Sequence, residues 1–485
     1  MALCFLFGCG KKEEDLVSPA ASSIPKRTPT ARTRLQGALD SFNELPYVHE
    51  PLGRPRVISD KQSNRKQWLI NVLNQGYSAS GHTNGQWTDA VRQSFTAYAD
   101  YSREATDAAH YSALTNTVAD ACSKGCDDPM IGYMRVRYGV TGSNYTKETF
   151  ALDSLGPFRA MLSSQYHPLL KFMAGLRTVQ ACYAAEPKGN RSPANQFVMA
   201  CLEDLARDTN APATDVFDCS YMWIDFGTGF AWSAYVTSQL EGIIGETWGN
   251  DARFFELRGL GEVSRAWQAR GGGFADKVTD QGWKDFQAHL NQAALALETA
   301  WQMNPTNART AYNMMQVELG QGQGLARMEK WFNRAMNLSP DYYDAVKLMS
   351  FYLEPRWYGS EEKALRFARS CVSSTNWNGR VPLILADVHR SVANYYKLSG
   401  GPDHWARPGV WEDIRSSYEK FFKLNPDDYG YRHEYARDAY ACGRYDEFLA
   451  QTRLFAGGTN FEFFGGEEQF RQMLRQASAA TRAAK

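Results

Sequence analysis

Net charge is absent from this chain of 485 residues: 53 Lys and Arg stand against 53 Asp and Glu. No global field therefore draws it to nucleic acid. No apolar run reaches the ~18 residues that a spanning helix needs. Strand-type alternation of apolar and polar residues is nearly absent, which leaves an all-α reading. Signatures of chemistry are missing as well. His433-Glu434 is followed by Arg437 where a zinc-protease helix needs a second His. Gly271-Gly272-Gly273 lacks the Gly-Lys-Ser/Thr ending of a phosphate loop and reads as a flexible turn. Asp225-Phe226-Gly227 has the letters of a kinase magnesium motif without a glycine-rich loop or a catalytic loop elsewhere. No Gly-x-Ser-x-Gly elbow occurs, and the eight histidines are scattered. No cofactor and no metal is expected.

A helical spacing is present instead. Leu297, Ala300 and Met303 lie eight, five and two positions before Pro305. Phe332, Ala335 and Leu338 stand in the same places before Pro340, and Tyr418, Phe421 and Leu424 before Pro426. Apolar residues three apart lay a stripe along a helix. The proline disfavours helical geometry in the residue before it and so marks a stop. Two short helices cannot bury such a stripe alone, so units of this kind stack and share one core.

On these residues the chain resembles the tetratricopeptide repeat (TPR) family. In the unit from Arg309, the family's skeleton falls on Tyr312, Met315, Leu319, Met328, Phe332, Ala335 and Pro340, with Gln316 where a small residue is usual. The unit from Tyr429 follows with Tyr435, Ala436, Ala439, Gly443, Tyr445 and Phe448, without a closing proline. The stretch Pro355-Arg-Trp-Tyr-Gly-Ser360 is similar to a motif of bacterial TPR-like domains of unknown function. The resemblance implies a right-handed superhelix of stacked antiparallel helix pairs, a TPR-like α-solenoid, over residues 250–456. It also implies a groove lined by first helices, with Asn313, Lys347, Phe351, His433, Arg437 and Tyr440 facing it. Cations, an amide and rings suit an extended peptide, so a protein or peptide partner is expected there. The long turns at 354–360 and 399–409 add Trp357, Tyr358, His404 and Trp405 as loop candidates.

The N-terminus carries a second resemblance. Leu6-Phe7-Gly8-Cys9 is similar to a bacterial lipoprotein cleavage box, which implies lipid on Cys9 and a start upstream of Met1. No Lys or Arg precedes the apolar residues, and their run is short for a signal. Gly10 after the cysteine implies the outer membrane. Residues 18–32 are rich in Ser, Pro, Thr, Lys and Arg. About 25 such residues make a tether on the order of 25–30 Å long. The expected location is the bacterial cell envelope, facing the periplasm, with the cytoplasm as the alternative.

These readings divide the chain into a signal-like segment (1–9), a disordered tether (10–33), irregular helical hairpins (34–249), TPR-like repeats (250–456) and a C-terminal capping helix with its tail (457–485). In the hairpins, Pro157 is expected to open a long helix through Leu176, and Ser192-Pro193 to cap another. Cys122 and Cys126 could form a short disulfide loop or two ligands of a metal site, but no second close pair completes a four-ligand zinc set, and buried or locally bridged structural cysteines are expected. The leading functional expectation is a non-enzymatic interaction scaffold, and self-assembly through the repeats is a further possibility. The alternative is an enzyme whose site lies within 34–250, with Asp127, Asp128, His167 and Asp225 as its first candidates.

Overall fold

The computed structural model describes residues 65–483, apart from positions 82, 84, 105–106, 140–145, 188–191, 229–232, 274, 427, 429 and 456–457. Cys9 and the expected signal and tether lie outside the described residues. Among the described residues there are twenty α-helices and no strand. They form two compact units divided at Leu257 and Arg258.

The first unit contains α1 (Arg65–Ser80), α2 (Thr88–Arg103), α3 (Ala108–Ser123), α4 (Pro129–Met134), α5 (Lys147–Leu162), α6 (Pro168–Ala185), α7 (Ser192–Arg207), α8 (Ala213–Thr228) and α9 (Ser233–Trp248). Local chemistry sets several boundaries. The αL glycine Gly125 (φ 81°) ends α3 by letting Cys126 N–H donate to Ala121 C=O and Gly125 N–H to Cys122 C=O. Asp128 then caps α4 ahead of Pro129, whose missing N–H costs nothing at a first turn. The helix continues into a π-helical turn, Arg135–Gly139. Packing joins sequence neighbours, as in α2 with α3, α5 with α6 and α6 with α7. Arg65 of α1 and Arg103 of α2 both donate to the buried carboxylate of Asp215 in the first turn of α8.

One expectation here is corrected. Pro157 does not open a helix but lies inside α5, and the break comes at residues 163–167. There the His167 side chain caps α6 by accepting from Leu169 N–H, directly before Pro168. The end cap therefore decides the boundary, and α5 absorbs the proline.

A helix that crosses the division between the units, α10 (Ala252–Arg270), leads into the second. There follow α11 (Asp280–Met303), α12 (Ala308–Gln321), α13 (Leu325–Leu338), α14 (Tyr343–Tyr352), α15 (Glu361–Ser373), α16 (Ile384–Ser399), α17 (Val410–Leu424), α18 (Arg432–Ala441), α19 (Tyr445–Thr452) and α20 (Glu467–Ala483). Each helix from α11 onward packs on a sequence neighbour, and α12 also packs on α14, α14 on α16, and α15 on α17. This arrangement of packed pairs is compatible with a helical repeat.

The three proline-terminated helices bury only part of their apolar stripe. Residues eight and five positions before the proline are at most 4% exposed, whereas Met303, Leu338 and Leu424 are 48, 40 and 39% exposed. The core contribution therefore comes from the inner two positions, where a fully buried large apolar side chain is worth about 1.5–3 kcal/mol. At the chain's end, Phe448, Phe464, Phe470, Met473 and Ala477 form a buried cluster under α20.

Candidate functional site

The helices α12, α14 and α18, and the first half of α16, each show solvent only a narrow face. On α14, Asp344 and Lys347 alone escape burial. On α12 the partly exposed residues are Arg309, Tyr312 and Gln316, besides those at its ends. The first seven residues of α16 are buried except Asp387 and Arg390. On α18, Glu434 and Arg437 share the open side with Arg432, Tyr440 and Ala441. Three of these helices thus present an acid followed three residues later by a base, the spacing that brings side chains together on a helix.

Side-chain bonds tie these faces together. Tyr343 of α14 donates to Asp387 of α16 at 2.6 Å. Arg390 of α16 donates to Asp387 at 2.5 Å, to Asp438 of α18 at 2.7 Å and to the Tyr418 hydroxyl of α17 at 3.1 Å. It also pairs with Glu434 at 3.1 Å. Burial works against the charge on Arg390, but Asp438, Tyr418, Asp387 and Glu434 together raise its pKa well above the ordinary value. Burial likewise raises the carboxyl of Glu434, against the pull of Arg390 and Arg437.

Two cations lie near Tyr343. The Lys347 ammonium lies 6.0 Å from the centre of the Tyr343 ring and has no carboxylate partner among the described residues. The Arg380 guanidinium lies 5.0 Å from the same ring and donates to the Tyr431 hydroxyl at 3.3 Å, also without a carboxylate partner among the described residues. Arg437, by contrast, is spent on the buried Asp438.

Of the residues expected to face a groove, Lys347, Arg437 and Tyr440 reach the open side. The Tyr440 hydroxyl donates to Gln476 of α20. Asn313, Phe351 and His433 are instead buried. Asn313 accepts from Gln316, and its Nδ2 has no partner among the described residues. Phe351 packs on Trp357, and the Arg356 guanidinium lies 4.8 Å from its ring centre. His433 lies under the C-terminal cluster, 3.8 Å from the Phe455 ring centre, and accepts from Asn460 N–H. Burial lowers its pKa. A repeat register cannot foresee that burial, because the rings responsible come from residues 455–464.

The long turns are anchored structures. Tyr358 donates to Leu319 C=O at the end of α12, and Trp357 meets Trp267 and Phe351 edge to face or tilted. Gly322, with φ 62°, passes so close that a Cβ would lie 2.6 Å from the Tyr358 hydroxyl. In the second turn His404 is buried and Trp405 is half-buried. His404 stands 2.9 Å from His389, whose other nitrogen meets Asp413. Sequence reading missed His389 and Asp413, because 24 residues separate them and no motif marks them.

The residues considered for an enzyme are not brought together as a catalytic group. Asp128 caps α4 and accepts from Tyr166, and Asp127 and Asp225 are exposed. The His167 ring accepts from Leu169 N–H and donates to Asp208, whose carboxyl is lowered by His167 and Asn210 despite its burial. Cys122 and Cys126 are free thiols and do not bridge each other. No known protein family matches the chain, and no curated protein is significantly similar to it in sequence.

Proposed function

We propose that this chain is a non-enzymatic scaffold that binds an extended peptide or protein segment along α12, α14, α16 and α18. In this reading the helix pairs stack as a TPR-like right-handed superhelix, and the first helices form its concave wall. Lipid on Cys9 would hold the repeats at a bacterial envelope membrane. The observation that carries the proposal is the pair of cations, Lys347 and Arg380, that lie near the Tyr343 ring without a carboxylate partner among the described residues. Arg390 and Arg437 are already matched by Asp438, so a partner that brings carboxylates would add its charge-assisted hydrogen bonds at Lys347 and Arg380.

The decisive variant is Lys347→Glu with Arg380→Glu, leaving Arg437 in place because it supports Asp438. Cross-linked capture from the native envelope should fall at least about tenfold, a loss of ~1.4 kcal/mol, with helicity and melting unchanged. A matched reversal on second helices, Lys330→Glu with Arg366→Glu, should leave capture intact. Equal capture by both variants would remove the wall from the reading. Equal membrane recovery of Cys9→Ala and the unaltered chain would remove the lipid anchor.

A further inference from the structure

The turn between α16 and α17, residues 400–409, is joined to surrounding helices by a chain of donors with only one self-consistent proton arrangement. Arg369 of α15 donates to Asp413 of α17 at 2.7 and 2.9 Å, so Asp413 is an ionised acceptor. His389 must then carry its proton on Nε2, 3.0 Å from Asp413. Its Nδ1 is left as an acceptor and receives Nε2–H of His404 at 2.9 Å. The remaining nitrogen of His404 accepts from Arg407 at 3.2 Å. Every group is satisfied while both imidazoles are neutral.

The turn's side-chain hydrogen bonds and ion pairs to surrounding helices run through His404 and Arg407, the latter held by Glu361 of α15 at 2.8 Å. The Tyr396 ring stacks on His404 and donates its hydroxyl to Glu361. Charged and titratable neighbours are thus Asp413 on α17, Arg369 and Glu361 on α15, Tyr396 on α16, and Asp403 and Arg407 in the turn itself.

We propose that the paired imidazoles of His389 and His404 form an acid-released fastener, and that uptake of two protons frees the turn at 400–409. A first proton on His389 makes its Nδ1 a donor, so His404 must turn its own hydrogen against the Arg407 donor. A second proton sets N–H against N–H across 2.9 Å within a buried pair. The open form relieves both conflicts: His404 is solvated, and His389 keeps a salt bridge to Asp413. Burial, His389 and Arg407 push His404 down to about 4 in the closed form, whereas free imidazole titrates near ~6.5. The closed form is therefore fully favoured above about pH 6.5 and loses that advantage as pH falls toward 4.

Amide hydrogen exchange on the full chain, corrected for intrinsic rates, tests this between pH 7.5 and 4.5. Protection of 400–409 should fall more steeply than about tenfold per pH unit, the limit for one proton, while α18 and α19 stay protected. His404→Gln keeps a donor toward His389 but cannot charge, and should remove the steep dependence. A turn that remains protected throughout, or the same slope in His404→Gln, would falsify the proposal. Imidazole proton NMR of the unaltered chain supplies a readout independent of the variant's folding. Both rings should be neutral while the turn is protected, and a charged ring in a protected turn would also sink the idea.

Discussion

The phenolic hydroxyl of Tyr166 lies 2.9 Å from each carboxylate oxygen of Asp128, and both residues are buried. The same carboxylate caps α4 through Met130 and Ile131 N–H. One side chain therefore starts a helix and anchors the residue just before the α6 cap. Tyr166→Phe should destabilise the first unit by roughly 1.5–3 kcal/mol, the range for hydrogen bonds to charged groups. Asp128→Ala should cost more, because the cap is lost and the phenol is stranded. Urea unfolding of the two variants and the double variant would show non-additivity, since a ring without its hydroxyl no longer needs the carboxylate.

Arg390 is the sole cation bonding to Asp387 and one of two on Asp438 among the described residues. Replacing it with Met removes the charge but leaves three carboxylates facing one another. The expected loss is about 3–5 kcal/mol, as when one partner of a buried pair is deleted. Adding Asp438→Asn should restore part of the loss by removing one of those charges. Thermal unfolding of the single and double variants measures this, and equal stability of Arg390→Met and the unaltered chain would contradict the hub.

Alkaline pH should unfold the protein through its tyrosines. Burial raises the phenols of Tyr98, Tyr343 and Tyr418 well above their ordinary value, and Asp387 and Asp438 add to this for the latter two. Above about pH 10 the unfolded chain releases protons that the folded chain retains. Stability is then lost as pH rises, with the folded contribution intact below that value. Absorbance of tyrosinate should show a late group of phenols ionising together with the loss of helicity. Their ionisation in a fully helical protein would oppose the burial argument.

The helix pairs of the second unit could be read from the chain because their information is local. Apolar residues at spacings of three, followed by proline, place α13 and α17 well, and the inner two positions of each stripe are buried. Met303, Leu338 and Leu424 look identical in sequence but end half-exposed, since burial depends on what lies beyond the last turn. Lys347 reaches the open side, while Asn313 and His433 on related helices do not. The fate of His433 is set by the rings from Phe455 onward, at positions no register connects. His404 attracted notice only as part of an overlong turn, and its bond to His389 depends on tertiary packing.

The arginine hub also bears on the order in which the chain assembles. Its longest bonds join residues 44 and 48 positions apart, and these cannot form until α14, α16 and α18 are brought together. Contacts made after the folding barrier act mainly on the rate of unfolding. Arg390 would then do little to speed refolding and much to lengthen the lifetime of the native state. The residue that unites the wall would serve as a brake on its unravelling.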